Sequence, residues 1–340
     1  MNTRILGAPL TGTQRYTMEL LTRWHTVETI APYTLSSRGV PGHAWEQLIL
    51  PAKVRGRLLF SPANTGPLSV RNQVVTVHDM SIFDYPQAFN PRFVAWYRFL
   101  LPRLARRVRH IIAVSEFTKK RILTCTGVNE DRVTVISNGV APRFSPGKAS
   151  AVNALDSSLN LPCDRYVLTV GSLEPRKNLS RLLRAWERVQ QELQDVWLVV
   201  VGDVGSSRVF ATTPLHGLPP RVFLAGRVDD RTLCCLYGKA LAFAYVSLYE
   251  GFGLPILEAM ASGIPVLAGN RSSIPELVGD AGILVDPENE EQIAKGIHAL
   301  VTDSALREEM RRRGLLRAPK FSWEEAARKT WTVLETAAEN

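Results

Sequence analysis

"LAFAYVSLYEGFGLPILEAMASGIPVLAG" (241–269) decides the fold. The short apolar run "LAFAYVS" and the run "PVLAG" read as strands, and the residues between them as a loop followed by a helix, which together make one βαβ unit. Pro255 suits the first helical position, where its missing N–H costs nothing, and Gly263 ahead of Pro265 ends the helix. Glu250 then lies in the loop at the carboxyl end of the first strand, and Glu258 lies one turn into the helix. Gly251 and Gly253 permit a backbone path that aims free N–H groups at a phosphate or a sugar oxygen. Acidic residues near a helix N-terminus are favoured by the macrodipole whatever they bind. That preference does not account for both glycines together with both glutamates.

Outward from this stretch the same alternation continues. "RYVLTVGS" (165–172), "VWLVVVGD" (196–203), "RVFLAGRV" (221–228) and "GILVDP" (282–287) are further strands, with a helix from about Leu179 to Leu193. On the amino-terminal side, "QVVTVHD" (73–79), "RHIIAVSE" (109–116) and "RVTVISNG" (132–139) each end in polar residues. Strands alternating with helical patterns predict parallel sheets covered on both faces, whose ligands collect at the carboxyl ends of the strands. The segment "SPGKASAVNALDSSLNLPC" (145–163) has linker composition. The expected organisation is a first Rossmann-like domain over 1–147, a linker over 148–162, a second over 163–321, and a last helix over 322–340. Only "NTRIL" precedes the first glycine loop, so the first strand reads as clipped: either Met1 is not the natural start, or this domain tolerates a short edge.

A chain of 340 residues exceeds the size at which one hydrophobic core stops growing, which also favours two domains. With 45% hydrophobic and 21% charged residues the composition is that of a globular protein able to bury a core. Cys125, Cys163, Cys234 and Cys235 show no C-x-x-C spacing and read as reduced core residues of a cytoplasmic protein. No secretory signal pattern and no membrane-length apolar run occurs, so the expected place is the cytoplasm or the inner face of its membrane. The charge is uneven: residues 1–150 carry +12 and residues 151–340 carry −3. Arg92, Arg98, Arg103, Arg106, Arg107 and Arg109 interleave with Phe93, Trp96, Tyr97 and Leu100, the pattern of a basic amphipathic helix. Such a helix can rest on anionic lipid headgroups, or it can pack Phe93, Tyr97, Leu100, Leu104 and Val108 inward with solvated arginines outside. No recognisable nucleic-acid module accompanies the basic residues, so nucleic acid is not an expected partner.

"GSLEPRKNLSRLLRAWERV" (171–189) places Arg176 and Lys177 just before a helix, on the wrong end of its dipole. Two cations there, following a strand end, make sense if an anion of more than one charge completes the site, as a diphosphate would. "TVHDMSIF" sets His78 and Asp79 at a strand end, where His78 faces a ligand or is structural and Asp79 caps the next turn or binds. "PLTGTQRY" puts Gly12 ahead of a helix from about Gln14 to Trp24. No D-x-D triplet suggests a carboxylate-held metal on a diphosphate. Neither G-x-G-x-x-G nor a P-loop points to a nicotinamide or ATP enzyme.

These residues resemble the retaining glycosyltransferases of family 4. "YEGFGLPILEAMASGIPV" is similar to that family's E-x7-E signature, and "TGTQRY", "TVHDMS", "IIAVSEFTKKRI", "VISNGV", "VGSLEPRKNL", "LAGRV" and "FSWEEAA" fall in the family's order. The likeness is greatest to bacterial mannosyl- and rhamnosyltransferase-like members that build O-antigen and other surface polysaccharides. It implies the GT-B fold, an α/β architecture of two doubly wound Rossmann-like domains facing a cleft, with the last helix crossing back to the first domain.

The resemblance also implies roles. Glu258 accepts from the two ribose hydroxyls of a nucleotide, Glu250 contacts the transferring sugar, and Phe252, Gly253 and Leu254 lie beside sugar and phosphate. Arg176 and Lys177 match the diphosphate clamp, with Gly171 in the same substrate-binding set. His78 matches a histidine near sugar and acceptor, with Asp79 beside it; Gly12 matches the N-terminal loop, and Val228 the segment beside the base. The implied reaction moves a hexose, with retention, from a nucleotide sugar such as GDP-mannose to a lipid-linked or oligosaccharide acceptor, with no cofactor and no metal. A dTDP-rhamnose or UDP-hexose donor, a nucleotide-sugar epimerase, and a non-enzymatic sugar-nucleotide-binding protein are the alternatives.

Overall fold

The computed structural model describes residues 1–8, 11–32, 39–146, 161–203 and 217–339, together with 159 and 209. They form two compact units, Met1–Gly139 with Phe321–Asn340, and Val140–Lys320. The expected linker over 148–162 lies mostly outside the described residues. Val140–Pro146, assigned from composition to the first domain, instead belong to the second unit. The reason is side-chain packing: Phe144 is buried edge-on against Tyr237 at 5.7 Å, and Arg143 pairs with Asp230 at 3.1 Å.

The first unit holds a parallel sheet of β1 (Leu59–Ser61), β2 (Gln73–Val77), β3 (His110–Ala113) and β4 (Val133–Val135), in that spatial order. β1 is missing from the sequence reading, because three residues inside "RLLFSPAN" are too few to show a period. Beyond β1 the first strand is reduced to one parallel bridge, Asn2 to Ile30, with the Asn2 N–H donating to Phe60 O at 2.8 Å. Where an apolar strand would run on, the chain turns through a 3-10 turn at Arg4–Gly7 and buries Arg4 against Glu46 (3.3 Å) and Thr65 (3.1 Å). That ion pair is tolerable because Asn2 and Thr65 also donate to Glu46.

Helix α1 (Gly12–Leu21) opens with a capping box of Thr11 and Gln14. Helix α2 (Pro91–Arg107) starts at Pro91 with Asn90 as its cap and buries Leu100, Leu101, Leu104 and Ala105, while Phe93 and Tyr97 are only half-buried. Together with α3 (Glu116–Thr126) it covers Val75, Val77, Ile111 and Ala113 of the sheet.

The second unit has β5 (Tyr166–Val170), β6 (Trp197–Val201), β7 (Val222–Gly226), β8 (Ala242–Tyr245), β9 (Val266–Gly269) and β10 (Ile283–Val285), all parallel. Their order is β10-β9-β8-β5-β6-β7. The chain therefore builds outward from β5 through β7, returns to the other side of β5 as β8, and builds outward again. This is the doubly wound order, and its switch point lies between β5 and β8. Central strands are buried on both faces and read as continuous apolar runs, which is why the sequence locates them.

Helices α4 (Leu179–Val189), α5 (Asp230–Lys239), α6 (Leu254–Ala261), α7 (Glu290–Thr302) and α8 (Ser304–Arg317) complete this unit. Leu182, Leu183 and Trp186 of α4 pack with Ile293 and Ile297 of α7 over β5 and β6. Cys234 and Cys235 are buried thiols of α5. The last helix, α9 (Trp323–Glu339), belongs to the first unit: Trp323 is fully buried near the Tyr16 ring at 5.9 Å, and Arg109 donates to the Ala337 carbonyl. No helix among the described residues is long and apolar enough to cross a membrane.

Candidate active site

The switch point of the second unit positions most of the expected residues. Gly171 follows β5, and its N–H donates to Val201 O at 2.9 Å. Beside it Gly202, at the end of β6, has φ +146°, and a Cβ there would stand 1.8 Å from Gly171 O. Only glycine lets these two strand ends approach so closely. The chain then makes a single 3-10 turn, Pro175–Lys177, and Asn178, with φ +61°, leads into α4. The Asn178 side-chain amide donates to Val246 O (3.0 Å) and Pro287 O (2.6 Å), which pins the turn against the end of β8.

That pinning brings Arg176 and Lys177 onto Glu250. Three donors converge on Glu250 Oε1: Lys177 Nζ at 2.6 Å, Ser247 Oγ at 2.7 Å and Tyr245 OH at 2.8 Å. Lys177 Nζ also donates to Tyr245 OH at 2.8 Å, closing a triangle. Arg176 Nη1 lies 3.5 Å from Glu250 Oε2 and donates to the Tyr249 carbonyl at 3.2 Å. Burial alone would raise the Glu250 pKa, but the charges of Lys177 and Arg176 and the hydrogen bonds outweigh it and pull the group down to about 2. Tyr245 goes the other way, raised well above the usual phenol value by burial and by the Glu250 charge. It is therefore a protonated donor at any working pH.

Two cations at a helix start call for negative charge, and the protein itself supplies part of it. Carboxylates already stand there. Glu174 faces Arg176 with both oxygens, Oε2 to Nε at 3.0 Å and Oε1 to Nη2 at 3.1 Å, and Glu250 takes Lys177. Glu174, Tyr245 and Ser247 escape sequence reasoning. A glutamate before proline reads as a loop residue, and tyrosine and serine in "LAFAYVS" read as strand core. The faint signal is the polar pair Tyr245 and Ser247, which recur at period two on one face of an otherwise apolar strand.

From Glu250 the backbone runs through Gly251 and the buried Phe252 to Gly253, whose φ of +102° permits the bend into α6. Leu254 and Pro255 open that helix, so its N-terminus favours an anion. Glu258 is buried one turn in, with Tyr237 OH 3.4 Å from its Oε2. Gly263 stands just past the helix with φ +77°. Val228, half-buried, lies between the end of β7 and α5. These segments all leave the same parallel sheet at its carboxyl edge.

The remaining expected residues lie in the first unit. His78 follows β2; its Nε2 is 2.7 Å from Pro62 O, and its ring meets Tyr16 edge-on at 4.9 Å. Burial lowers its pKa despite the opposing pull of the Pro62 carbonyl and Asp79, so the imidazole is neutral at pH 7. Asp79 accepts from the Ser81 N–H at 2.9 Å and from its hydroxyl, capping the turn at Ser81–Asp84. Gly12 is the exposed first residue of α1, one turn ahead of Tyr16. Among the described residues no group of His, Cys, Asp and Glu is arranged to hold a metal ion.

A family model described as "Glycosyl transferases group 1" matches residues 155–317, and one described as "Glycosyltransferase Family 4" matches residues 58–144. The O-antigen chain mannosyltransferase B of Escherichia coli is 32% identical over 270 residues, which cover 78% of this chain and 70% of that protein. The chain belongs to the family 4 glycosyltransferases. The O-antigen chain mannosyltransferase RfbU of Salmonella typhimurium is 30% identical to this glycosyltransferase, with 69% of this chain and 62% of that protein aligned. The serotype-specific mannosyltransferase WbdA of Escherichia coli is 31% identical, and the match spans 67% of this chain but only 29% of WbdA.

Among solved structures, HepE of Anabaena in complex with UDP and glucose gives a TM-score of 0.74 at 20% identity, covering 97% of both chains. WaaG, a glycosyltransferase involved in lipopolysaccharide biosynthesis, gives 0.69 at 16%, covering 96% of this chain and 97% of that one. At such identities the likeness concerns the fold, and this family 4 glycosyltransferase has the GT-B fold.

Proposed function

We propose that this glycosyltransferase transfers mannose, with retention of configuration and without a metal, from GDP-mannose to a lipid-linked or oligosaccharide acceptor in surface-polysaccharide assembly. The observation that carries the reading is the contact of Lys177 and Arg176 with Glu250 at the switch point between β5 and β8. There a diphosphate has cations and the N-terminus of α6 beside it, and a sugar has a carboxylate. The O-antigen mannosyltransferase relatives favour mannose.

In this mechanism the bond from the sugar C1 to the diphosphate oxygen breaks while an acceptor hydroxyl attacks the same face, and the hydroxyl proton passes to the departing phosphate. Arg176, Lys177 and the backbone at Gly253 stabilise the charge that grows on the phosphate, and so favour the transition state over the ground state. Glu250 is no nucleophile here. It is saturated at Oε1 and orients a sugar hydroxyl through Oε2. Glu258 takes the ribose diol, since a carboxylate can accept one hydrogen bond on each oxygen. Val228 lies by the base, and Gly171 with Phe252 and Leu254 lines the donor. On the first unit, His78 and the Gly12 loop serve the acceptor.

Replacing Arg176 and Lys177 together with alanine should abolish donor turnover in a radiolabelled-sugar assay; wild-type turnover would sink the diphosphate assignment. Full activity in EDTA is expected, and strict dependence on a divalent ion would contradict it. A UDP-hexose donor is the second reading, because HepE binds UDP and glucose. A thermal-shift panel of nucleotide sugars decides between the two, since a bound donor raises stability by mass action.

Helix α2 supports a peripheral place on the inner membrane face. Arg92, Arg98, Arg103, Arg106 and Arg107 are exposed, and Arg103 stacks 3.9 Å over the ring of Phe99, which is itself 45% exposed. Retention on anionic vesicles at low salt tests this assignment.

A further inference from the structure

The cations assigned to the donor phosphates are neutralised before any ligand arrives. Glu174 has a side chain only 1% exposed and grips Arg176 through both oxygens, while the Ser172 hydroxyl also donates to it. Lys177 is held by Glu250. Two cations thus face two carboxylates, and the formal charge of the group is zero. A site shaped for affinity alone would leave the guanidinium fork open, because a carboxylate and a phosphate compete for the same planar edge of donors. At 1% exposure solvent barely screens Glu174, so its charge bears on any anion that reaches Arg176.

The two phosphate species differ in charge. In a nucleotide sugar each phosphate carries one negative charge. Once the sugar has left, the terminal phosphate can lose a further proton near neutral pH, and the product is the more anionic of the two. A fixed negative charge behind the clamp therefore opposes the product more than the donor.

We infer that Glu174 is a positioning residue that aims Arg176 and also weakens the site's hold on the nucleoside diphosphate product, so that product leaves after transfer. This rests on the reading of Arg176 and Lys177 as the phosphate-binding pair. Glu174 acts by aiming Arg176 and by the charge it sets behind that guanidinium.

The test is titration calorimetry of the full chain with GDP, UDP and GDP-mannose, for wild type, Glu174→Gln, Glu174→Asp and Arg176→Ala, with product inhibition measured alongside. Glu174→Gln keeps the shape and loses the charge, and should bind the preferred diphosphate about five- to tenfold more tightly, with a smaller gain for the nucleotide sugar and stronger product inhibition. Glu174→Asp keeps the charge and should not tighten binding. Structural damage alone would weaken both variants, and that result overturns the inference. So does a Gln variant that fails to fold while the Asp variant folds, since the charge would then be a requirement of stability. If Arg176→Ala binds GDP and UDP as wild type does, or wild type binds neither at millimolar concentration, the phosphate-binding reading itself falls.

Discussion

Glu250 is a buried charge, and its surroundings explain how it stays ionised. Its pKa of about 2 lies below the ordinary 4.5, so the native state binds that proton less readily than the unfolded chain. Its stabilisation is fully present above pH 4.5 and is lost as pH falls through about 2, a contribution of roughly 3 kcal/mol by linkage. Urea melts between pH 2 and 6 should show this slope in wild type and lack it in Glu250→Gln. Gly202 is a second case. A Cβ at 1.8 Å from Gly171 O cannot be absorbed by a rotamer change, because the obstacle is backbone. Gly202→Ala should cost about 2 kcal/mol or more and, by shifting Gly171, should also weaken nucleotide binding; unchanged binding by calorimetry would show the strand ends to be independent.

Elements were legible in the sequence to the extent that burial imposed a pattern. β5, β6 and β8 appear as apolar runs, and the start of α6 is marked by Pro255 and its end by Gly263. What escaped was either too short or polar for a structural reason. β1 has three residues, and the opening strand is one bridge backed by a buried ion pair of Arg4 and Glu46. In the site, the motif glutamates and the cations could be named because their chemistry stands out against apolar neighbours. Glu174 could not, since nothing in "SLEPRK" tells which way a loop carboxylate turns. Helix α2 separates packing from surface within one element. Leu104→Ala should cost about 2–5 kcal/mol in a urea melt, as a buried leucine does. Phe99→Ala, at an exposed position, should leave the melt nearly unchanged and reduce retention on anionic vesicles.

At the scale of the molecule, the two units should respond separately. Trp323 is fully buried in the first unit, so Trp323→Ala should remove about 3–5 kcal/mol from that unit alone. Calorimetry should then resolve two transitions, with nucleotide raising only the one that belongs to Val140–Lys320. A single cooperative transition, shifted as a whole by both the variant and the nucleotide, would contradict independent units.

Helix α9 also sets a timetable. On the ribosome Met1–Gly139 emerges first, yet Gly139 packs so tightly on Trp323 that a Cβ there would lie 2.1 Å from the Trp323 backbone nitrogen. Met1–Gly139 must wait for the segment that begins at Phe321, which is made after Val140–Lys320, a delay of roughly 10–40 s at ordinary elongation rates. Val140–Lys320 has every residue it needs before then. The earlier-born unit is thus the later to mature, and the apolar surface that Trp323 finally covers is what a nascent-chain chaperone would meet in the interval.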